Sequence, residues 1–186
     1  MRTSPPPILS ALRARTTDAH RSLEEHTDSG KITSGELSLR EYERLIRWQT
    51  SAHQHLEPGL AADADYASRL PALRRDLVLL QLDEPSPPPL PSEPLDDVDR
   101  IGLRYVLEGA SLGGAVILKA LQRTPALQHL DDFHFFAYQK EHGLPQWRTW
   151  VQGLRDRDFS DADIERATAR AQWGFGVFRE LWGVVE

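Results

Sequence analysis

Apolar positions recur at intervals of three and four residues in several separate stretches of the chain, and this spacing predicts helices. The first stretch starts after Ser10, an expected N-cap, and stops at Ser29-Gly30. Its predicted inward face carries Leu12, Thr16, Ala19, His20 and Leu23. The sequence therefore predicts a first helix with a histidine on the side that faces the rest of the protein.

The second stretch has the spacing of a capping box, because Glu41 follows Ser38 by three residues. Leu37 and Tyr42 flank that box at the positions of a hydrophobic staple. The apolar stripe then continues through Tyr42, Leu45, Ile46, Gln49, His53 and Leu56. We expect this second helix to end at Pro58-Gly59.

The middle of the chain contains a shorter apolar stretch at 70–82, interrupted by Pro71, and then a proline-rich run. Such a run predicts a stiff, solvated connector. The helices before it are too few to enclose a core of their own. We therefore expect one domain over residues 1–186, with a flexible N-terminus at 1–9 and a proline-rich loop at 84–95.

The second half predicts three more helices. Asp96 or Asp97 can cap the first, which runs to Leu121 before Thr124-Pro125 ends it. A loop is expected through Phe135-Phe136, and the next two helices begin at Pro145 and Ser160. The last helix has a stripe made of Ile164, Ala167, Ala171, Phe175, Phe178 and Trp182. No stretch shows sustained alternation of period two, so the predicted fold class is all-α, a single-domain helical bundle.

Charge and composition narrow the function classes. The net charge of -6 and the lack of a basic stripe argue against a nucleic-acid partner. The chain has no cysteine, which excludes disulfides, thiolate metal sites and cysteine nucleophiles. Neither a signal-like apolar N-terminus nor a run of eighteen apolar residues is present, so we expect a soluble cytoplasmic protein without membrane partners.

Glycines cluster unusually inside the predicted helix that ends at Leu121. Gly109, Gly113 and Gly114 each cost about 1 kcal/mol relative to alanine in a helix interior. Gly102 lies seven residues before Gly109, so these glycines fall near one helix face. Two explanations stay open with about equal weight: close packing of another helix, or a flat ligand lying directly on the backbone.

His20 is the second candidate for chemistry, although a single histidine on an apolar face is usually a core residue. Glu24 lies one turn further on and could accept the Nδ1 proton, which would leave Nε2 free to bind a metal. Arg13 lies nearly on the same face, where it could meet an anionic group. The other histidines are weaker candidates, because His53 and His55 point to different faces of one helix.

Two segments resemble the haem oxygenase family. Residues 12–24, Leu-Arg-Ala-Arg-Thr-Thr-Asp-Ala-His-Arg-Ser-Leu-Glu, resemble its first helix with the proximal histidine. Residues 105–114, Tyr-Val-Leu-Glu-Gly-Ala-Ser-Leu-Gly-Gly, resemble the glycine-rich distal helix, especially in the bacterial branch associated with bacteriophytochromes. The resemblance extends from Ser10 to the end of the chain.

The resemblance implies a haem between two helices, with His20 as the axial iron ligand. It implies further haem contacts from Glu24, Arg13, Thr17, Tyr105 and Arg148. The oxygen side would be lined by the catalytic segment Gly109, Ala110, Ser111, Gly113 and Gly114. Haem would be both cofactor and substrate, cleaved with O2 and electrons from an external reductase or ferredoxin to biliverdin, carbon monoxide and ferrous iron.

One position departs from the family pattern. Many members have an aspartate directly after the first glycine of the distal motif, where this chain has Ala110. The departure favours, as an alternative, a haem-binding or bilin-binding protein on the same fold without turnover. A di-iron oxidase is a weaker alternative, because no second carboxylate and histidine motif accompanies His20 and Glu24. A bacteriophytochrome would be a fitting acceptor of biliverdin.

Overall fold

The structure is a computed structural model that describes residues 5–27, 29–89 and 95–184. These residues form nine α-helices linked by turns and loops, and no β-strand occurs among them, which confirms the all-α prediction. The helices are α1 (Pro7–His26), α2 (Gly30–Ser34), α3 (Leu39–Leu56), α4 (Leu70–Leu79), α5 (Asp97–Ala110), α6 (Gly114–Leu121), α7 (His134–Tyr138), α8 (Leu144–Gly153) and α9 (Asp161–Trp182). Short 3-10 turns cover Glu57–Leu60, Ser111–Gly113 and Pro125–Leu127, and a π-helical turn covers Gln139–Gly143.

Helix α1 begins at Pro7, so the prediction of Ser10 as its N-cap is wrong. Proline suits the first turn of a helix, because the N–H that it lacks would have no partner there. Ile8 and Leu9 are buried in the core, whereas Ser10 is exposed. The N-terminus expected to be flexible, 1–9, thus includes three helical residues, since burial of two large apolar side chains favours an earlier helix start.

Helices α3, α5 and α9 all begin with a capping box. The pairs are Ser38 with Glu41, Asp96 with Asp99, and Ser160 with Asp163. Hydrogen bonds from Ser38, aided by Lys31, lower the pKa of Glu41 to about 2. The predicted starts of these three helices are therefore confirmed.

Helix α9 forms the centre of the bundle and packs along α5, α1 and α3. The crossing with α5 is close, because a Cβ at Gly102 would overlap the backbone carbonyl of Ala167. Gly174 of α9 lies against Val106 in the same interface. Glycines let the two helix backbones approach in this region, which anchors the first turns of α5.

Two segments differ from the predicted pattern. Pro71 does not interrupt an apolar stretch but lies in the first turn of α4. The expected loop through Phe135-Phe136 instead contains helix α7, whose first turn is capped from a distance. Asp76 of α4 accepts hydrogen bonds from the backbone N–H groups of His134 and Phe135, both at 2.8 Å. A cap from 58 residues away gives no local sequence signal, so the loop prediction was wrong.

The segment Asp97–Leu121 is long and apolar enough to cross a membrane by length and composition alone. Its most apolar window is 56% buried inside the fold, which is typical of a core helix. In the predicted proline-rich loop, residues 84–89 have no helix or strand, and residues 90–94 lie outside the described part.

Candidate active site

A cavity lies between α1, α3, α5 and α9 and extends towards α2 and α6. It has two compartments of about 400 and 210 Å³. The larger one falls within the range of roughly 300–1,000 Å³ that is usual for small-molecule sites. The wall common to both compartments contains His20, Leu23, Glu24, Trp48 and Gln49.

His20 lies on this shared wall and is not a core residue. Its side chain is 57% exposed, and its ring meets the Phe175 ring edge-on at 5.8 Å between centroids. The Nδ1 atom is 3.4 Å from Oε2 of Glu24, the partner expected from the sequence. A carboxylate on the Nδ1 side favours the tautomer whose Nε2 carries a free lone pair, which is the form that binds a metal.

The other predicted residues of α1 divide between the wall and the surface. Arg13 is exposed and lines the smaller compartment. Thr17 is exposed, and its hydroxyl donates to the carbonyl of Arg13 at 2.8 Å. The buried hydroxyl of Thr16 donates to the Leu12 carbonyl at 2.8 Å and can accept from the Tyr105 hydroxyl, 3.4 Å away, which links α1 to α5. Tyr105 lines the smaller compartment and its ring lies 6.0 Å from that of Trp147.

The glycine-rich segment faces α1 across the cavity and is bent. Helix α5 ends at Ala110, a 3-10 turn covers Ser111–Gly113, and α6 starts at Gly114. A Cβ at Gly109 would find only the Trp147 ring, at 3.9 Å, and one at Gly113 only the side chain of Ile117, at 3.6 Å. Gly109 and Ala110 both line the smaller compartment. The backbone is therefore open to the cavity at this point.

Other residues of the segment face away from the cavity. A Cβ at Gly114 would overlap the side chain of Gln139. Ser111 is buried, lies against Gly143, and donates to the Leu107 carbonyl at 3.3 Å, a bond back to the helix. The two explanations for the glycines thus apply at different positions: packing at Gly102 and Gly114, and a backbone open to the cavity at Gly109. Gly113 has room for a Cβ but is not among the described residues that line either compartment.

Arg148 lies apart from these residues. It is exposed on α8 and is not among the described residues that line either compartment. No group of three or more histidine, aspartate or glutamate side chains that could hold a metal ion occurs in the described part of the chain. The di-iron alternative therefore has no ligand set among these residues.

Sequence reasoning missed a buried polar network behind the glycine-rich segment. Arg69 and Glu108 form an ion pair at 2.6 Å, and both side chains are 0% exposed. Beside it, Glu57 accepts from His53 at 2.9 Å and from the backbone N–H of Arg69 at 2.8 Å. Burial alone would raise the pKa of Glu57, but these hydrogen bonds and one from Ser68 outweigh burial and lower it. The only local signal was Glu108 four residues after Arg104, typical of a helix ion pair.

The arrangement of His20 and the glycine-rich segment can be compared with the known proteins that this chain resembles. A model of the heme oxygenase family matches residues 94–183. A heme oxygenase of Xanthomonas campestris pv. campestris (strain 8004) is 35% identical over 144 residues, which cover 75% of this chain and 83% of that protein. The chain therefore belongs to the heme oxygenase family.

Two solved structures share the fold. The NO- and CO-bound heme oxygenase of Neisseria meningitidis superposes with a TM-score of 0.73 at 23% identity, over 95% of this chain and 92% of that one. Heme oxygenase-1 of the cyanobacterium Synechocystis sp. PCC6803 in complex with heme has a TM-score of 0.71 at 17% identity, over 96% and 92% of the two chains. At these identities the likeness concerns the fold.

Proposed function

We propose that this protein is a haem-degrading oxygenase that cleaves haem with O2 to biliverdin, carbon monoxide and ferrous iron. Membership of the heme oxygenase family supports this activity. The observation that carries it at the site is the position of His20, on a cavity wall opposite the open backbone of Gly109. An aromatic ligand can lie flat between these two walls with its metal at the histidine.

The residues of α1 would hold the haem. His20 would bind the iron through Nε2, with Glu24 fixing the orientation of the imidazole through Nδ1. Arg13 at the rim of the smaller compartment would meet a propionate, and the Tyr105 hydroxyl, held by Thr16, would meet another polar edge. Arg148 and Thr17 would contribute from the surrounding surface. Bound haem would supply the iron that activates O2 and the ring that is opened.

The opposite wall would determine where the reaction occurs. Gly109 lines the smaller compartment and has no side chain, so its backbone would lie close to a ligand bound at His20; Gly113 has room for a Cβ but is not among the described residues that line either compartment. Ala110 offers no proton, and Ser111 donates its hydroxyl to a carbonyl of its own helix. We infer that this segment would border the oxygen side of the haem through its backbone rather than through a side-chain acid, and would thereby limit which bridging carbon of the ring is accessible.

The proposal includes partners that the site requires. Electrons would come from an external reductase or ferredoxin, and a bacteriophytochrome would be a fitting acceptor of the product. Heme oxygenases of this family are generally soluble, and we infer that this protein is located in the cytoplasm.

The test is turnover of hemin by the purified protein. With a ferredoxin reductase system in air and catalase present, we expect a Soret band that decays into red biliverdin absorption, with carbon monoxide released in equal amount. A Soret band that persists would favour the alternative, a haem-binding or bilin-binding protein without turnover. A spectrum that keeps the broad band of free hemin would show that hemin does not bind and would contradict both.

A further inference from the structure

Arg69 is the largest side chain that is fully buried in the described part of the chain. Its guanidinium donates to Glu108 at 2.6 Å and to the Ala67 carbonyl at 2.6 Å, and it stacks over the Tyr66 ring at 4.7 Å. A buried ion pair of this kind is often no more stabilising than apolar residues of the same volume. Its presence behind the glycine-rich segment therefore needs an explanation other than stability.

The contacts of Arg69 converge on the bend between α5 and α6. Glu108 precedes Gly109 directly, at the end of α5. The Nη2 atom of Arg69, which donates to Glu108, also lies 3.5 Å from the Ser111 hydroxyl in the 3-10 turn. It donates to the side-chain oxygen of Gln146 of α8 at 3.2 Å. Gln146 in turn donates to the Tyr138 hydroxyl of α7 at 2.9 Å. One side chain thus joins the segment before α4 to α5, the bend and α8.

The bend has little internal stiffness of its own. Gly109, Gly113 and Gly114 each disfavour helix by about 1 kcal/mol relative to alanine. Its position must therefore depend on contacts from outside, which include Gly114 against Gln139, Ser111 against Gly143, and the ion pair of Glu108. Of these only the ion pair has a fixed direction, because the guanidinium is planar and its donors form a rigid fork.

The second carboxylate oxygen of Glu108 is 3.4 Å from Nε of Arg104, whose guanidinium binds Asp65 at 2.7 Å. Glu108 thus lies between two guanidinium groups, is hydrogen-bonded to that of Arg69, and is not among the described residues that line the cavity, whereas Gly109 and Ala110 are. It cannot touch a ligand there. Any effect on the reaction must pass through the backbone of the bend.

We propose that Arg69 is a positioning residue that, through Glu108 and Ser111, sets the place of the Gly109 and Ala110 backbone in the cavity and thereby the biliverdin isomer formed. This inference rests on the proposed function. Ala110 supplies no acid on the cavity side. The position of this backbone therefore determines which biliverdin isomer is formed. Arg69 acts at a distance and is not itself a catalytic residue.

The test compares wild type with the double variant Arg69→Met, Glu108→Met, which removes both charges and leaves neither unpaired. Arg74→Met is the matched control, since Arg74 lies on α4 and pairs with Glu84 at the surface. We expect the double variant to unfold at the same urea concentration as wild type. In the haem-free protein its amides at 109–114 should exchange faster, and its product should contain a second isomer. The control should change none of these.

A stable double variant with wild-type amide exchange and a wild-type isomer ratio would overturn the proposal. If that variant does not fold, Arg69→Lys replaces it, because lysine keeps the charge and loses the fork; it should show the same faster exchange and mixed product, and wild-type values would again overturn the proposal. Should wild type make no biliverdin, the proposed function fails, while amide exchange in the haem-free protein still decides whether Arg69 fixes the bend.

Discussion

The two walls of the cavity are built in different ways. The wall from α1 is one regular helix, on which His20 and Glu24 are one turn apart and each more than half exposed. The opposite wall is a broken helix whose course depends on Gln139, Gly143 and Arg69, all distant in sequence. The candidate ligand-binding helix is thus specified by local spacing, whereas the backbone that faces it depends on tertiary contacts.

Gly102→Ala should have the largest effect on stability. Gly102 and Gly109 lie on nearly the same face of α5, but a Cβ at Gly102 would overlap the Ala167 carbonyl. We expect the free energy of unfolding to fall by about 3 kcal/mol, at the upper end for overpacking, because neither backbone can move alone. Urea unfolding of the haem-free protein measures it. A loss below that of an ordinary surface substitution would show that α5 and α9 separate easily here.

Asp76 predicts a pH dependence of stability that originates in the tertiary contact between α4 and α7. Burial raises the pKa of Asp76 to about 6, although the N–H groups of Phe135 and His134 lower it. Because the pKa is raised from 3.8, the native state binds more protons than the unfolded state between these values. The contribution of protonated Asp76 to the free energy of unfolding is therefore fully present below pH 3.8. It is lost as the pH rises through 6, which lowers the free energy of unfolding by up to about 3 kcal/mol.

The measurement is the urea midpoint of the haem-free protein between pH 4 and 7, for wild type and Asp76→Asn. We expect the difference between them to change in favour of the variant as pH rises. The neighbouring groups Tyr42, Asp132 and His134 are unchanged in both proteins, so their own titration largely cancels. A difference that is constant with pH would contradict the raised pKa of Asp76.

Glu24→Gln tests the cavity wall formed by α1. The amide can still accept from Nδ1 of His20 but carries no charge, so the imidazole becomes a weaker ligand. We expect the affinity for hemin to fall about 10-fold, the lower end for such partners, because Glu24 is more than half exposed. Titration followed at the Soret band measures it. Glu25→Gln, an exposed neighbour on α1, should leave the affinity unchanged.

Gly109→Ala should have the smallest effect on stability, with the opposite sign to Gly102→Ala. The added Cβ meets only the Trp147 ring at 3.9 Å, so the gain in helix preference should raise the free energy of unfolding by roughly 0.5–1 kcal/mol. The same methyl narrows the cavity and should weaken hemin binding. A variant that is destabilised without hemin would show that Gly109 serves packing rather than access to the backbone.

The sequence was sufficient for the parts of the molecule that depend on local spacing. One capping box, at Ser38, and candidate N-caps at Asp96 or Asp97 and at Ser160 located three helix starts, and the interval between His20 and Glu24 located the candidate ligand. The start at Pro7, helix α7 and the Arg69–Glu108 pair were missed. Each depends on residues brought together by the fold, such as Asp76 and His134, and no pattern along the chain records that proximity.

The central claim is that His20 binds haem inside this cavity, and the absorption spectrum of His20→Ala with hemin tests it most directly. We expect the variant to lose the sharp Soret band of wild type and to regain it when free imidazole is added, because the cavity remains and only the ligand is missing. A His20→Ala spectrum identical to that of wild type without imidazole would contradict the assignment.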